Sequence, residues 1–162
     1  MEKSNTGFTL IELLVVIAII GVLSGVVLSA LNSARARAGD VSIQSTLAQI
    51  RVQSELFYDG PYNYGAVVND GSGNPVRCDT AIAVPGSLFA DPVVSRQITD
   101  AQKNSNQPWT EVMCISIGSG MANGWALSVP FRSDSAKHWC VDDVGSTRQI
   151  GAKLSAGQTS CP

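Results

Sequence analysis

The sequence predicts an α+β fold in which one long N-terminal helix packs on a small antiparallel sheet, and two observations point to it. Residues 13–31 are apolar apart from Ser24 and Ser29, and helical spacing of apolar residues continues after them. After Trp109, short runs rich in Val, Ile, Phe and Trp alternate with polar turns, as in antiparallel strands. With 162 residues, 44% of them hydrophobic, the chain has room for one globular core and an appendage.

The apolar run has the length of a membrane span. A helix needs about 20 apolar residues to cross a bilayer, and no charge occurs between Glu12 and Arg35. No comparable run follows residue 31, so we expect a single-pass segment followed by a globular head. The net charge of −2 provides no general attraction to nucleic acid, and no nucleic-acid partner is predicted.

The helix is predicted to continue beyond the lipid as far as residue 58 and to stop in the Asp-Gly-Pro sequence at residues 59–61. Its second half carries one stripe of residues at spacings of three and four, which is typical of a helix lying on a protein core. The stripe consists of Ile43, Leu47, Ile50, Ser54 and Phe57.

The head begins with a segment, residues 60–91, that is rich in turn-forming residues and is expected to be a surface connection tied down at Cys78. Asp91 is predicted to cap a short helix that starts at Pro92. Strands are expected within residues 111–117, 124–131 and 137–142, with a fourth near 148–150.

Four cysteines lie in the head and form no CxxC pair, so neither zinc nor a redox dithiol is indicated. An even number of cysteines beyond a membrane segment predicts two disulfides in an oxidising compartment, although four free thiols are the alternative. Three pairings are open. Sequential pairing closes the shortest loops and is favoured: Cys78 with Cys114, and Cys140 with Cys161.

Two ordinary explanations of the N-terminus compete with a third. A secretory signal would use an A-x-A site among Ala34, Ala36 and Ala38, but the apolar run exceeds the usual 7 to 15 residues and two arginines lie inside the site. A plain anchor should obey the positive-inside rule, and Arg35 and Arg37 after the span would place the head in the cytoplasm. The cysteines argue against that placement, and we give them more weight.

The third explanation rests on the sequence GFTLIE at residues 7–12, which follows a short polar leader containing Lys3 and precedes the apolar run. It resembles the prepilin signal of type IV pilins and type II secretion pseudopilins. In that family a membrane peptidase cuts after the glycine and methylates the new amino terminus. The resemblance implies cleavage between Gly7 and Phe8, N-methylation of Phe8, and a requirement for Glu12 in assembly.

Glu12 is the residue that the resemblance explains best. A carboxylate within a bilayer costs about 2.5 to 3.5 kcal/mol on insertion scales, so it needs a partner that offsets this cost. In the family, the partner is the amine of a neighbouring subunit. Two alternatives remain open: Glu12 completes an S/T-x-x-E capping box with Thr9, or it neutralises the amine of its own chain, one turn away.

The resemblance also implies a division of the chain into a leader (1–7), a transmembrane and filament-core helix (8–34), an amphipathic continuation (35–58) and a disulfide-stapled head (59–162). Gly21 and Gly25 have the GxxxG spacing that permits close helix approach. Many members of the family carry a proline near Ser29 that is absent here, so a local softening of the helix would fall to Gly25 or Gly39.

No catalytic constellation, metal site or cofactor site is predicted. His138 is the one histidine and is expected on a strand beside Trp139. Asp142 and Asp143 suggest a calcium site as an alternative, but adjacent acids at a turn are more often solvated caps. The tryptophans are expected in the core rather than stacked on DNA or sugar: Trp109, Trp125 and Trp139.

These features together predict a structural subunit, a major pilin, that forms a homopolymeric filament and is not an enzyme. The resemblance implies as partners a prepilin peptidase and methylase, and an inner-membrane assembly platform with its ATPase. The chain would span the inner membrane once before assembly and lie in an extracellular pilus afterwards. A type II secretion pseudopilin is the alternative, and a membrane-tethered binding or enzymatic domain is the second.

Overall fold

The computed structural model of the chain describes residues 7–58, 63–156, 158 and 160–162. The chain divides into two compact units, Met1–Arg35 and Ala36–Pro162. Helix α1, Leu10–Phe57, contributes residues to both. Residues 1–6 of the predicted leader and the predicted helix stop at 59–61 lie outside the described residues.

The first unit is the start of α1 together with the residues that precede it, and each of its described residues is exposed. The helix is long and apolar enough to cross a membrane, by length and composition. Gly21 and Gly25 lie inside the helix without interrupting it, and nothing lies within 4 Å of a Cβ added at either position.

The second unit contains a five-stranded sheet in which every neighbouring pair of strands is antiparallel, in the order β1-β2-β3-β4-β5. The α+β architecture is therefore confirmed. Four strands fall where the sequence predicts them, and the short edge strand β1 was not predicted. The strands are β1 Val76–Arg77, β2 Met113–Ile117, β3 Gly124–Pro130, β4 His138–Asp142 and β5 Thr147–Ile150.

One face of the sheet is covered by the second half of α1 and by helix α3, Pro92–Ser105. Asp91 caps α3 as predicted, because its Oδ1 accepts hydrogen bonds from the backbone N–H groups of Val93 and Val94 at 2.9 and 3.0 Å. The predicted α1 stripe is confirmed, with only Phe57 incompletely buried. Its buried residues share this core with side chains from β2, β3 and α3: Ile43, Leu47, Ile50, Cys114, Trp125, Leu127, Val94 and Ile98.

The prediction that residues 60–91 form a surface connection was wrong in part. Tyr64, Val68, Leu88 and Phe89 are buried in the main core. The segment also contains the short helix α2, Cys78–Ala81. Tyr64 and Val68 pack from irregular backbone, and Leu88 and Phe89 from a 3₁₀ helix of three residues, so their burial produces no regular spacing in the sequence.

The opposite face of the sheet is covered by the C-terminal segment. A smaller core lies here, composed of Ile115, Ala126, Cys140, Ile150, Leu154 and Cys161. Strand β3 is consequently buried along its whole length, with both faces covered. The disulfides are the two sequential pairs, with Cα–Cα distances of 5.0 Å for Cys78–Cys114 and 5.7 Å for Cys140–Cys161. The first belongs to the larger core and the second to the smaller.

The second half of α1 meets the rest of the head closely at Gly39 and Asp40. A Cβ at Gly39 would lie 2.9 Å from the backbone oxygen of Asn104 and 2.9 Å from Cδ of Arg132, so only glycine fits without displacement. The Oδ1 atom of Asp40 accepts hydrogen bonds from the backbone N–H groups of Arg132 at 2.7 Å and Ser133 at 3.2 Å. These contacts hold the β3–β4 turn against the helix.

Candidate assembly site

The helix begins with a capping arrangement built by Thr9 and Glu12. The carbonyl of Thr9 accepts the backbone hydrogen bond of Leu13 at 3.3 Å, which makes Thr9 the N-cap. The backbone N–H of Glu12 donates to Oγ1 of Thr9 at 3.3 Å, and the backbone N–H of Thr9 donates to Oε2 of Glu12 at 2.8 Å. This reciprocal pair is the capping box that the spacing of the two residues predicts.

The Glu12 carboxylate is held by one of its oxygens. Oε2 accepts from both the backbone N–H and the hydroxyl of Thr9, each at 2.8 Å, and Oε1 accepts no hydrogen bond from the described residues. The carboxylate therefore points toward the start of the helix, next to Phe8. One oxygen remains available to a further donor at that place.

The environment of this carboxylate is apolar and exposed. Phe8 is 90% exposed, and each described residue that follows Glu12 in the first unit is exposed as well. Exposed apolar residues on every side of a helix indicate that lipid or other helices cover it. The site thus combines an acid, a phenylalanine and an uncovered apolar helix within a few residues.

In the head, the expectation of a solvated cap was wrong for Asp142, which is completely buried and accepts hydrogen bonds from backbone N–H groups with both carboxylate oxygens. Its Oδ1 accepts from the backbone N–H of Ser146 at 2.7 Å, and its Oδ2 accepts from the backbone N–H of Cys161 at 2.9 Å. Burial raises the pKa of the neighbouring Asp143 carboxyl, and the hydrogen bond from the backbone N–H of Trp125 partly opposes this. Among the described residues there is no group of three side chains suited to hold a metal ion.

Asp142 is a structural residue that the sequence analysis did not identify as such, because its partner Cys161 is far along the chain. It lies on the same face of β4 as Cys140, since side chains alternate along a strand. Its hydrogen bond to Cys161 therefore adds to the disulfide in fixing the C-terminal segment on the sheet.

His138 begins β4, paired with Pro130 and Ile150 on the neighbouring strands. It is 2% exposed, and its Nδ1 has no hydrogen-bond partner among the described residues. Burial lowers its pKa to about 4, with Glu111 raising the pKa and Lys153 lowering it. With a pKa of about 4 the buried imidazole is neutral at pH 7, and it packs as part of the strand.

The tryptophans also lie in or against the core. Trp125 is completely buried, between Tyr64 and Phe89 with ring centroids 6.4 and 6.5 Å away in edge-to-face geometry. Trp109 and Trp139 are partly buried against the same core. The core assignment is confirmed for Trp125, and the other two leave part of their surface in solvent.

Comparison with known families identifies the N-terminal segment. Residues 3–28 match the prokaryotic N-terminal methylation motif, which is the prepilin signal of type IV pilins and pseudopilins. The match includes the capping box and most of the exposed apolar helix. Searches of curated proteins and of solved structures found no match.

Proposed function

We propose that the chain is the major structural subunit of a type IV pilus and polymerises through its N-terminal helix. The observation that carries the proposal is the methylation motif over residues 3–28, at the head of an exposed apolar helix. The motif supports a pilin-like or pseudopilin-like structural subunit. It also implies processing by a prepilin peptidase and assembly into a filament.

In this proposal the leader, residues 1–7, is removed between Gly7 and Phe8, and Phe8 is then N-methylated. Residues 8–34 anchor the chain in the inner membrane and later line the filament core, residues 35–58 join the helix to the head, and residues 59–162 form the surface. The assembly platform and its ATPase drive the transfer. The amine of Phe8 on one subunit then meets Glu12 of a neighbour, and the pair sets the register between them.

The available Oε1 of Glu12 supports that role. In the precursor, the nitrogen of Phe8 belongs to a peptide bond and carries no charge. Cleavage creates a cationic amine next to the carboxylate, and an ion pair of this kind lowers the cost of placing the acid in lipid. Because its own chain's amine lies close as well, the filament role depends on packing that brings the neighbour's amine nearer.

The first experiment is mass determination of the mature amino terminus, and an N-methylated Phe8 is expected. A chain that starts at Gly39 would refute the assignment and support a secretory signal instead. A chain that retains Gly7 would refute processing by the prepilin peptidase.

The second experiment separates the charge of Glu12 from its capping role. A capping box accepts either Glu or Gln at this position, so Glu12→Gln preserves the cap and removes the charge. We expect normal membrane insertion and leader cleavage but loss of sheared filaments, as in Glu12→Ala. If Glu12→Gln assembles like the wild type, the carboxylate charge is not required and the assembly role is wrong.

The pseudopilin alternative shares the signal and differs in location. Two disulfides, one on each face of the sheet, suit a filament outside the cell, where nothing else protects the head. Recovery of the chain in sheared extracellular filaments supports the pilus. Its absence outside the cell, together with a protein-secretion defect in a deletion strain, supports the pseudopilin. A tether for a binding domain predicts that neither filaments nor Glu12 are needed.

A further inference from the structure

The outer side of the second half of α1 presents an unusual surface. We define the outer stripe as the residues of this half that lie opposite its buried side, within an arc of about 100° at 3.6 residues per turn. Each of them is exposed: Arg37, Val41, Ser45, Ala48, Val52, Glu55 and Leu56.

The outer stripe contains three large apolar residues. Val41, Val52 and Leu56 are 64%, 66% and 75% exposed, although the other side of the same helix is buried against the sheet. A helix on the surface of a lone globular domain has polar residues opposite its core-facing side. An apolar stripe on each of two opposite sides indicates that a second protein surface covers the outer one.

The ends of the outer stripe carry opposite charges. Arg37 lies at one end and Glu55 at the other, and neither forms an ion pair within 4.0 Å in the part of the chain that the structure describes. Both charges are therefore available to a partner, whereas Lys103, Lys137 and Lys153 each pair with an acid of the same head; other arginines, Arg96 among them, also have no ion pair among the described residues. The Glu55 end of the stripe in one copy is therefore complementary in charge to the Arg37 end in another copy.

The separation of the two charges defines a displacement. Arg37 and Glu55 are 18 residues apart, which is five turns of helix and about 27 Å. The same separation relates Val52 to Ala34 and Leu56 to Ala38 in the sequence. In a parallel copy moved by five turns, the two outer stripes overlap only at their ends, where Val52 and Leu56 face alanines and the two charges meet. Val41 then faces the position of Leu23, in the exposed apolar half of the other helix.

We propose that the outer stripe is a contact surface for a second copy of this chain, parallel and displaced by about 27 Å, in which Glu55 of one copy binds Arg37 of the next. The proposal rests on the proposed function, because subunits that leave one membrane in one orientation run parallel in a filament. It adds a second contact, on the head half of the helix. Because the Glu12–Phe8 contact displaces parallel copies by only about 6 Å, the two contacts join a subunit to two different neighbours.

A charge reversal and its compensation test this contact. Arg37→Glu and Glu55→Arg should each reduce the yield of sheared filaments about tenfold or more, because like charges then face each other in the interface. The double variant Arg37→Glu/Glu55→Arg restores the opposite charges and should return the yield to within about threefold of the wild type. Arg96→Glu is the matched control: Arg96 is an exposed arginine on α3, outside the stripe.

Leader cleavage and the formation of both disulfides are measured in every variant, so that a loss of filaments is not due to misfolding or failed processing. If either single reversal assembles normally, or if the double variant is no better than the single ones, the contact is wrong. Absence of filaments in the wild type would instead overturn the proposed function.

Crosslinking tests the direction of the two copies. A strain that makes one chain with Arg37→Cys and another with Glu55→Cys should give crosslinked dimers, and each variant alone should give none. Ser45→Cys lies near the midpoint of the stripe, where two antiparallel copies would meet their own equivalent residues. Dimers of Ser45→Cys would overturn the parallel arrangement.

Discussion

Loss of the C-terminal disulfide should lower the stability of the head by a predictable amount. The Cys140–Cys161 bond closes a loop with a sequence separation of 21 residues. In the chain-entropy model, removing the bond increases the entropy of the unfolded chain and lowers the free energy of unfolding by about 3 kcal/mol. Both half-cystines are buried, so Cys140→Ala/Cys161→Ala avoids the burial of a new polar group that serine would introduce.

The Cys78–Cys114 bond provides the matched comparison, because its sequence separation is 36 residues. The same model gives about 4 kcal/mol for its removal. Removal of the Cys78–Cys114 bond should therefore lower the free energy of unfolding slightly more than removal of the Cys140–Cys161 bond.

The assay is urea unfolding of the mature full-length chain in detergent, followed by tryptophan fluorescence, which reports on the completely buried Trp125. Hydrogen exchange of residues 151–156 adds a local measure. We expect these amides to exchange faster in the C-terminal variant only. A loss below about 1 kcal/mol would refute the entropic argument.

Three further predictions concern the main core and the buried histidine. Leu47→Ala should cost about 3 kcal/mol in urea unfolding, because Leu47 is completely buried between α1 and the sheet; a loss near zero would contradict that packing. Gly39→Ala should cost a net of about 1 kcal/mol, since the clash with the backbone oxygen of Asn104 exceeds the gain in helix propensity; a stabilised variant would contradict the close contact. His138 takes up its proton near pH 6.5 when unfolded, but the folded pKa is about 4. Unfolding free energy should therefore fall as the pH decreases from 6.5 to 4, by about 2 kcal/mol after allowance for solvent screening. His138→Phe should flatten this slope in urea unfolding at a series of pH values, and an unchanged slope would assign it to other groups.

The elements that could be predicted from the sequence are those with a regular pattern. The spacing of Ile43, Leu47 and Ile50 indicated the core-facing side of α1, and Asp91 before Pro92 indicated the start of α3. The strands between residues 113 and 150 were predictable because turn residues separate runs of strand-forming residues. The disulfide pairs followed from loop length alone.

Features without local periodicity were not predicted. Strand β1 has two residues, Val76 and Arg77, and exists because it pairs with β2 next to the Cys78–Cys114 bond. A segment that short carries no pattern of its own. The burial of Phe89 and the hydrogen bond from the backbone N–H of Cys161 to Asp142 likewise depend on contacts between distant parts of the chain.

The outer stripe has no distinctive signal in the sequence for a different reason. Val41, Ala48, Val52 and Leu56 share one side of the helix, but one apolar side suffices to explain a helix that packs on a sheet. Only the exposure of these residues in the folded chain shows that the second set has no cover within the described head.

The contacts at Gly39 and Asp40 have a mechanical consequence. In the proposed filament, a pulling force would pass along α1, and these two residues are among the first in the helix to contact the rest of the head. The hydrogen bonds from the backbone N–H groups of Arg132 and Ser133 to Asp40 would resist that force together with the close packing at Gly39. Single-molecule stretching should accordingly show Asp40→Ala heads yielding at lower force, while their resistance to urea changes far less.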